Sequence, residues 1–141
     1  MTLGELTPDI ALKALLDGNI IGGNSAAVKV YAQGRRPNRG LDREYIELYN
    51  NGVIRSLTEP IGVFAGTLAV GIYCEANAAD GTAKTALIAE MASQVQARCD
   101  NKKSGKFFFS LSTYNIVTPA TTDLSTGYTA MVINVDWHTT E

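Results

Sequence analysis

Histidine occurs once in this 141-residue chain and cysteine only twice, so the side chains that most often bind transition metals or act as nucleophiles are scarce. Cys74 and Cys99 form no CxxC pair and have only His138 as a possible imidazole partner. Neither a zinc site nor a disulfide framework follows, and both cysteines read as buried free thiols. His138 lies close to the C-terminal residue, where chains tend to fray, which weighs against general-base work. No apolar run approaches the roughly 18 residues that cross a bilayer, and the opening MTLGELTPDI lacks the basic start and apolar stretch of a secretory leader. The expectation is a protein made in the cytoplasm that does not enter a membrane. Charge is sparse as well: charged residues make up 18%, and twelve Lys and Arg face fourteen Asp and Glu for a net charge of -2. That balance argues against a general binder of nucleic acid or membrane surfaces and restricts any DNA contact to a local patch.

What is present is enough for one packed domain over residues 1–141, with 45% hydrophobic residues. Gly, Ala, Ser, Thr and Asn are plentiful, a composition suited to a surface much engaged with other subunits. Thr7-Pro8-Asp9 is a helix start, and Ile10, Leu12, Leu15 and Leu16 give a short helix over 7–17 its apolar face before Gly18. AAVKVYAQ, residues 26–33, alternates as a half-buried strand. GRRPNRGLDR should be an exposed connection, with the Arg-rich loop at 34–43. REYIELYNNG is a second strand that the turn signal Asn50-Asn51-Gly52 should end. Residues 53–65 give no clear period and are read as a connection. In 66–75, Leu68, Val70, Ile72 and Cys74 share one face of a third strand. A helix capped by Asp80 or Thr82 follows, with Leu87, Ile88, Met91, Val95 and Cys99 on one stripe. FFFSLSTYNIV (107–117) and YTAMVINVDWHT (128–139) are two more strands, expected as a hairpin. The order implies an α+β fold: a mostly antiparallel sheet of four to five strands, a long helix packed on one face, and a short N-terminal helix.

No constellation of chemical groups stands out. The strand-to-helix junction Ala76-Asn77-Ala78-Ala79-Asp80-Gly81-Thr82 has a single Gly, and Lys84 is outside the frame a phosphate loop requires, so it reads as capping and crossover. Asp136 and His138 share a strand face without an obvious Ser or Cys partner. Glu44 and Glu47 fall on opposite faces and cannot flank one scissile bond. Tyr45 and Tyr49 fit packing in a core or interface better than the stacking of bases. No catalytic, metal-binding or cofactor-binding residue is expected. The most distinctive charged feature is Arg35, Arg36, Arg39 and Arg43. Three roles are open to this cluster: a solvated loop, a contact with carboxylates of a neighbouring subunit, or contact with DNA phosphates.

The series GTLAVGIYCEA, TAKTALIAEMASQVQARC, FFFSLSTYNIV and GYTAMVINVDW resembles the tail terminator or tail-completion proteins of long-tailed bacteriophages, in element order and texture over about residues 20–140. The resemblance implies a non-enzymatic virion protein of the tail or neck. Such a subunit forms a ring, usually a hexamer, on the last ring of the tail tube, stops tube polymerisation and joins the tail to the head connector. Its implied partners are further copies of itself, the tail tube protein and the head-connector or neck protein, with genomic DNA passing the lumen unread. Arg35, Arg36, Arg39 and Arg43 would then contact a neighbour, the tube or the connector. Two alternatives stand beside it: a neck or head-completion protein of the same particle, and a small-molecule-binding α+β module, which would need a concave pocket with converging polar groups.

Overall fold

The computed structural model describes residues 6–36, 43–55, 64–77, 79–111, 121–123 and 127–139. Helix α1 (Pro8–Leu16) has Pro at its first turn, where a missing amide costs nothing, and Asp9 facing the positive end of the helix dipole. Thr7 flanks α1 without a side-chain cap bond, so the helix is one residue shorter at each end than the expected 7–17. Gly18, at φ 77, turns the chain away just beyond it. The buried Asp9 carboxylate accepts the Gln33 amide at 3.1 Å, which ties α1 to the turn after strand β1 (Lys29–Tyr31).

Three long strands dominate the rest: β2 (Glu44–Arg55), β3 (Phe64–Glu75) and β7 (Tyr128–Thr139), each of 12 residues. Between β3 and β7 come helix α2 (Thr85–Cys99) and the short strands β4 (Lys102–Ser104), β5 (Phe107–Leu111) and β6 (Thr121–Asp123). The sheet path is β1-β2-β3-β7-β5-β4, and β6 pairs β7 alongside. β1 lies parallel to β2, with Val30 opposite Ile46, while the other pairings are antiparallel.

The α+β class therefore holds, but the expected sheet of four to five mostly antiparallel strands is corrected to a mixed sheet with six strands along its path. The additional strands are β4 and β6, three residues each and too short to show a period. β4 and β5 form a tight hairpin about Gly105-Lys106, and Gly105 takes the positive φ (60) that such a turn favours. β5 and β7 are neighbours, yet the hairpin partner of β7 is β6. Of the strand expected at 107–117, residues 107–111 are strand and 112–120 lie outside the described residues.

Asn50-Asn51-Gly52 does not end β2. Asn50 pairs with Leu68 and Val53 with Gly66, so Asn51 and Gly52 together face Thr67 in a bulge and the strand runs on to Arg55. The connection expected at 53–65 is accordingly strand at both ends, with 56–63 outside the described residues.

Alternation sends Ile46, Leu48, Leu68, Val70, Ile72 and Cys74 to one face, where Ile133, Val135 and Trp137 join them. Both helices cover that face: Leu12 and Leu16 of α1 and Ile88, Met91, Val95 and Cys99 of α2 are buried in the same cluster. Burial pushes the Cys99 thiol up to about 12 and raises that of Cys74, leaving both unreactive at neutral pH. At the far end, the Phe64 amide donates to the Thr139 hydroxyl at 3.0 Å, pinning the start of β3 to the end of β7.

Phe109 is fully buried on β5, opposite Trp137. Phe109→Ala removes its apolar surface and leaves a cavity, and should lower unfolding free energy by about 3–5 kcal/mol in a denaturant titration.

Candidate assembly surface

Among the described residues no helix lies on the opposite face of the sheet, and its alternate positions bring the tyrosines together. Tyr45 and Tyr73 are register partners on β2 and β3, and their rings stack with centroids 4.7 Å apart. Tyr31 of β1 and Tyr128 of β7 meet Tyr45 edge-on at 6.4 Å and 5.5 Å. Tyr45 is only 7% exposed although neither α1 nor α2 covers it. Part of that shielding comes from Arg36, whose guanidinium carbon lies 3.8 Å from the centre of the Tyr45 ring. The Arg36 Nε is buried without a hydrogen-bond partner among the described residues.

Tyr49 and Tyr73 extend the cluster through their hydroxyls, which lie 3.0 Å apart, while the Tyr49 hydroxyl donates to Glu47 Oε1 at 2.9 Å. This arrangement requires a glycine at 71, because a Cβ there would come within 2.6 Å of the Tyr73 hydroxyl and 2.7 Å of its ring. The Tyr73 ring thus lies along its own strand over Gly71 and fills the gap the glycine leaves. Burial pushes the Tyr45 phenol up to about 12, against the opposing pull of Arg36. The Tyr49 phenol is raised further still, by burial first and then by its bonds to Tyr73 and Glu47.

Of the four arginines grouped in sequence, the three described, Arg35, Arg36 and Arg43, have different surroundings. Arg35 is exposed beside the turn closed by its amide on the Ala32 carbonyl at 3.0 Å. Arg36 folds back onto Tyr45. Arg39 lies outside the described residues. Arg43 immediately precedes β2, at the Tyr45 end of the β2–β3 pairing, 3.9 Å from the Glu75 carboxylate, with its side chain 76% exposed. An exposed pair of that length contributes little to stability. Sequence reasoning named Tyr45 and Tyr49 as packing residues but missed Tyr31, Tyr73 and Tyr128, which join them only through strand register.

Arg43 also borders a groove of about 240 Å³ lined by Gly23, Asn24, Glu44, Glu75, Lys84 and Leu87. Glu44 is held there by the Gly23 amide at 2.8 Å, on the helix-bearing side, while Glu47 sits among the tyrosines, so the two carboxylates do point apart. The junction before α2 is closed on itself. Thr82 donates through its amide and its hydroxyl to Asp80 Oδ1 at 3.0 Å and 2.7 Å, and Asn77 Nδ2 donates to the Thr82 hydroxyl at 2.9 Å. Those bonds hold the Asp80 carboxyl below its usual range and leave neither side chain to cap the helix; Lys84 occupies the cap position instead, a correction to the expected cap. On the tyrosine-bearing face, Ser110 is opposite Asp136 and Phe108 opposite His138, whose ring it meets at 5.2 Å. Ser110, Asp136 and His138 make no hydrogen bond to one another. Among the described residues no cluster of three His, Cys, Asp or Glu could hold a metal ion, and no helix is long and apolar enough to cross a membrane.

The raised phenols set an alkaline limit. A phenol ionises near 10.0 when unfolded and, for Tyr45, near 12 when folded, so the stability it contributes is intact below about pH 10 and is lost as pH rises from 10 through 12. An absorbance titration of phenolate formation should show some of the six tyrosines ionising late, and Tyr45→Phe and Tyr49→Phe should each remove one late step. Simultaneous ionisation of all six near the ordinary value contradicts the packing described.

No protein-family model matches the sequence. No curated protein matches it either. The fold is similar to that of solved structures. One of them aligns with a TM-score of 0.55 at 13% identity, over 82% of this chain and 81% of its own. At that identity the likeness is one of fold.

Proposed function

We propose that this chain is a structural subunit of a long-tailed phage particle, a tail terminator that forms a ring at the head-proximal end of the tail tube, ends tube growth and joins the tail to the head connector. The observation that carries the reading is the sheet's helix-free face, lined with tyrosines and capped by Arg36. Tyr and Arg are the residue types enriched where proteins meet, and on that face they stand among the charged residues Lys29, Glu47, Glu75 and Asp136. A ring subunit needs two different surfaces that fit one another around a closed circle, and a sheet whose described helices both lie on one side supplies two unlike faces. The resemblance in element order adds the phage context. On this reading the partners are further copies, the tube protein and the connector, and Arg35 and Arg43 are exposed cations at the periphery.

A neck or head-completion subunit of the same particle would use the same kind of surface and differ only in its position. The small-molecule-binding reading has the groove at Glu44, Glu75, Arg43 and Lys84 in its favour. At about 240 Å³ it falls below the roughly 300–1,000 Å³ of ordinary ligand pockets, a neighbouring groove lined by Ala26, Val28, Lys29 and Glu44 only reaches the lower bound at about 300 Å³, and both linings mix the two signs of charge in the open.

Light scattering at high protein concentration, with negative-stain images of the same fractions, tests the reading. Closed rings of one subunit number are the expected result. Open filaments or an unassociating monomer overturn it, and a reproducible thermal shift with one member of a metabolite panel would move the assignment to the groove.

A further inference from the structure

With 12 Lys and Arg against 14 Asp and Glu, this chain can attract a polyanion only where positive charge is locally concentrated. The described arginines near Tyr45 form no such concentration, because Arg36 is stacked on that ring and Arg43 lies against Glu75. A denser group lies where α2 ends and the β4–β5 hairpin begins. Arg98 is in the last turn of α2, Lys102 and Lys103 open β4, and Lys106 is in the tip of the hairpin. All four are exposed, and the side chains of Arg98, Lys102 and Lys103 make no ion pair or hydrogen bond among the described residues. The acidic residue between them, Asp100, has its carboxylate on the Leu111 amide at 3.2 Å, toward β5.

The backbone fixes where these cations stand. Asn101 takes a left-handed φ of 54, which Asn tolerates better than most residues, and with Asp100 turns the chain from helix into strand. β4 is the last strand of the sheet path, and Gly105 closes its hairpin with β5. Alternation sends the two lysines to the two flanks of that edge: Lys102 lines up with Phe109 and Trp137, and Lys103 with Phe108 and His138. His138 is exposed, and its imidazole adds a hydrogen-bond donor on the Lys103 flank. From Lys102 to the turn the strand rises about 10 Å, a length over which one strand of a duplex carries about three phosphates. Lysines on an edge strand also keep stray strands from pairing with it. Arg98 belongs to the helix and has no part in that protection.

We propose that this ridge binds the phosphate backbone of duplex DNA without reading its sequence, through Arg98, Lys102 and Lys103, and that in an assembled particle it lies against the passing genome. Its place in the particle rests on the ring reading, whereas affinity for a duplex is a property of the chain itself. Cations repeated along a narrow edge suit phosphates, whose charge recurs at regular intervals along a strand. Carboxylates on a protein surface have no such repeat.

The test is fluorescence anisotropy of a labelled duplex of mixed sequence titrated with the full chain at several salt concentrations, with circular dichroism confirming that each variant is folded. Affinity should fall about 500-fold as salt rises tenfold, a slope of about -3 for three phosphate contacts. Lys102→Ala and Lys103→Ala should each make that slope shallower by about 1, and equally so for duplexes of different sequence. Combining both with Arg98→Ala should abolish binding, while Arg35→Ala, which removes an exposed cation elsewhere, should leave it unchanged. Binding that survives the triple substitution, or that Arg35→Ala weakens as much as the lysine variants do, overturns the proposal. So does a wild-type chain that leaves the duplex free at about 20 mM salt, where phosphate contacts are strongest. Polyglutamate held as tightly as the duplex would assign the ridge to an acidic protein surface and overturn it as well. Rings that bind no duplex would reject this surface and keep the ring reading, whereas a monomer that binds duplex through these three side chains would keep the surface and reject the ring.

Discussion

The antiparallel pairing of β3 with β7, running from Ala65 opposite His138 to Glu75 opposite Tyr128, is the constraint that both faces of the sheet depend on. Because side chains alternate, this register sends Leu68, Val70 and Ile72 to the helices together with Ile133 and Val135, and sends Tyr73 and Tyr128 to the other side. A slip by one residue would exchange the two sets at once. The register is fixed at its ends, by Thr139 binding Phe64 at one and by the Ala76 amide on the Gly127 carbonyl at 2.9 Å at the other. β2 adds to one edge of this pair, and β5 and β6 divide the other edge between them.

How far the sequence reveals this depends on segment length and on whether a contact is local. β3, β7 and α2 are long, strongly periodic segments, and their apolar positions are readable residue by residue. β4 and β6 are not, since three polar residues such as Lys102-Lys103-Ser104 acquire strand geometry from a neighbour. The bulge at Asn51-Gly52 has the signature of a turn; the pairing of Arg55 with Phe64 beyond it keeps the strand going. The parallel placement of β1 beside β2 has no local signal, because it depends on where the chain from Ala32 to Arg43 returns.

The same reasoning explains the arginines and the tyrosines. Four arginines close in sequence look like one patch, yet of those described Arg36 stacks on Tyr45, Arg43 just before β2 lies against Glu75, and Arg35 is exposed. The tyrosines behave conversely: Tyr31, Tyr45, Tyr73 and Tyr128 come from four strands and look unrelated until register places them together. Two of the hydroxyls on this face are turned on one another, in the chain from Tyr73 through Tyr49 to Glu47. That face combines ring surface and a stacked guanidinium with the charged side chains of Lys29, Glu75 and Asp136.

The single tryptophan, Trp137, is 2% exposed and meets Phe107 edge-on at 5.5 Å within the layer between sheet and helices, while five of the six tyrosines lie on the sheet's other side. One sheet thickness therefore separates two intrinsic optical reporters. Indole emission follows the integrity of the core, and near-ultraviolet tyrosine signals follow whatever settles on the helix-free face. Loss of folding and loss of partnership would thus have different spectra in the unlabelled protein.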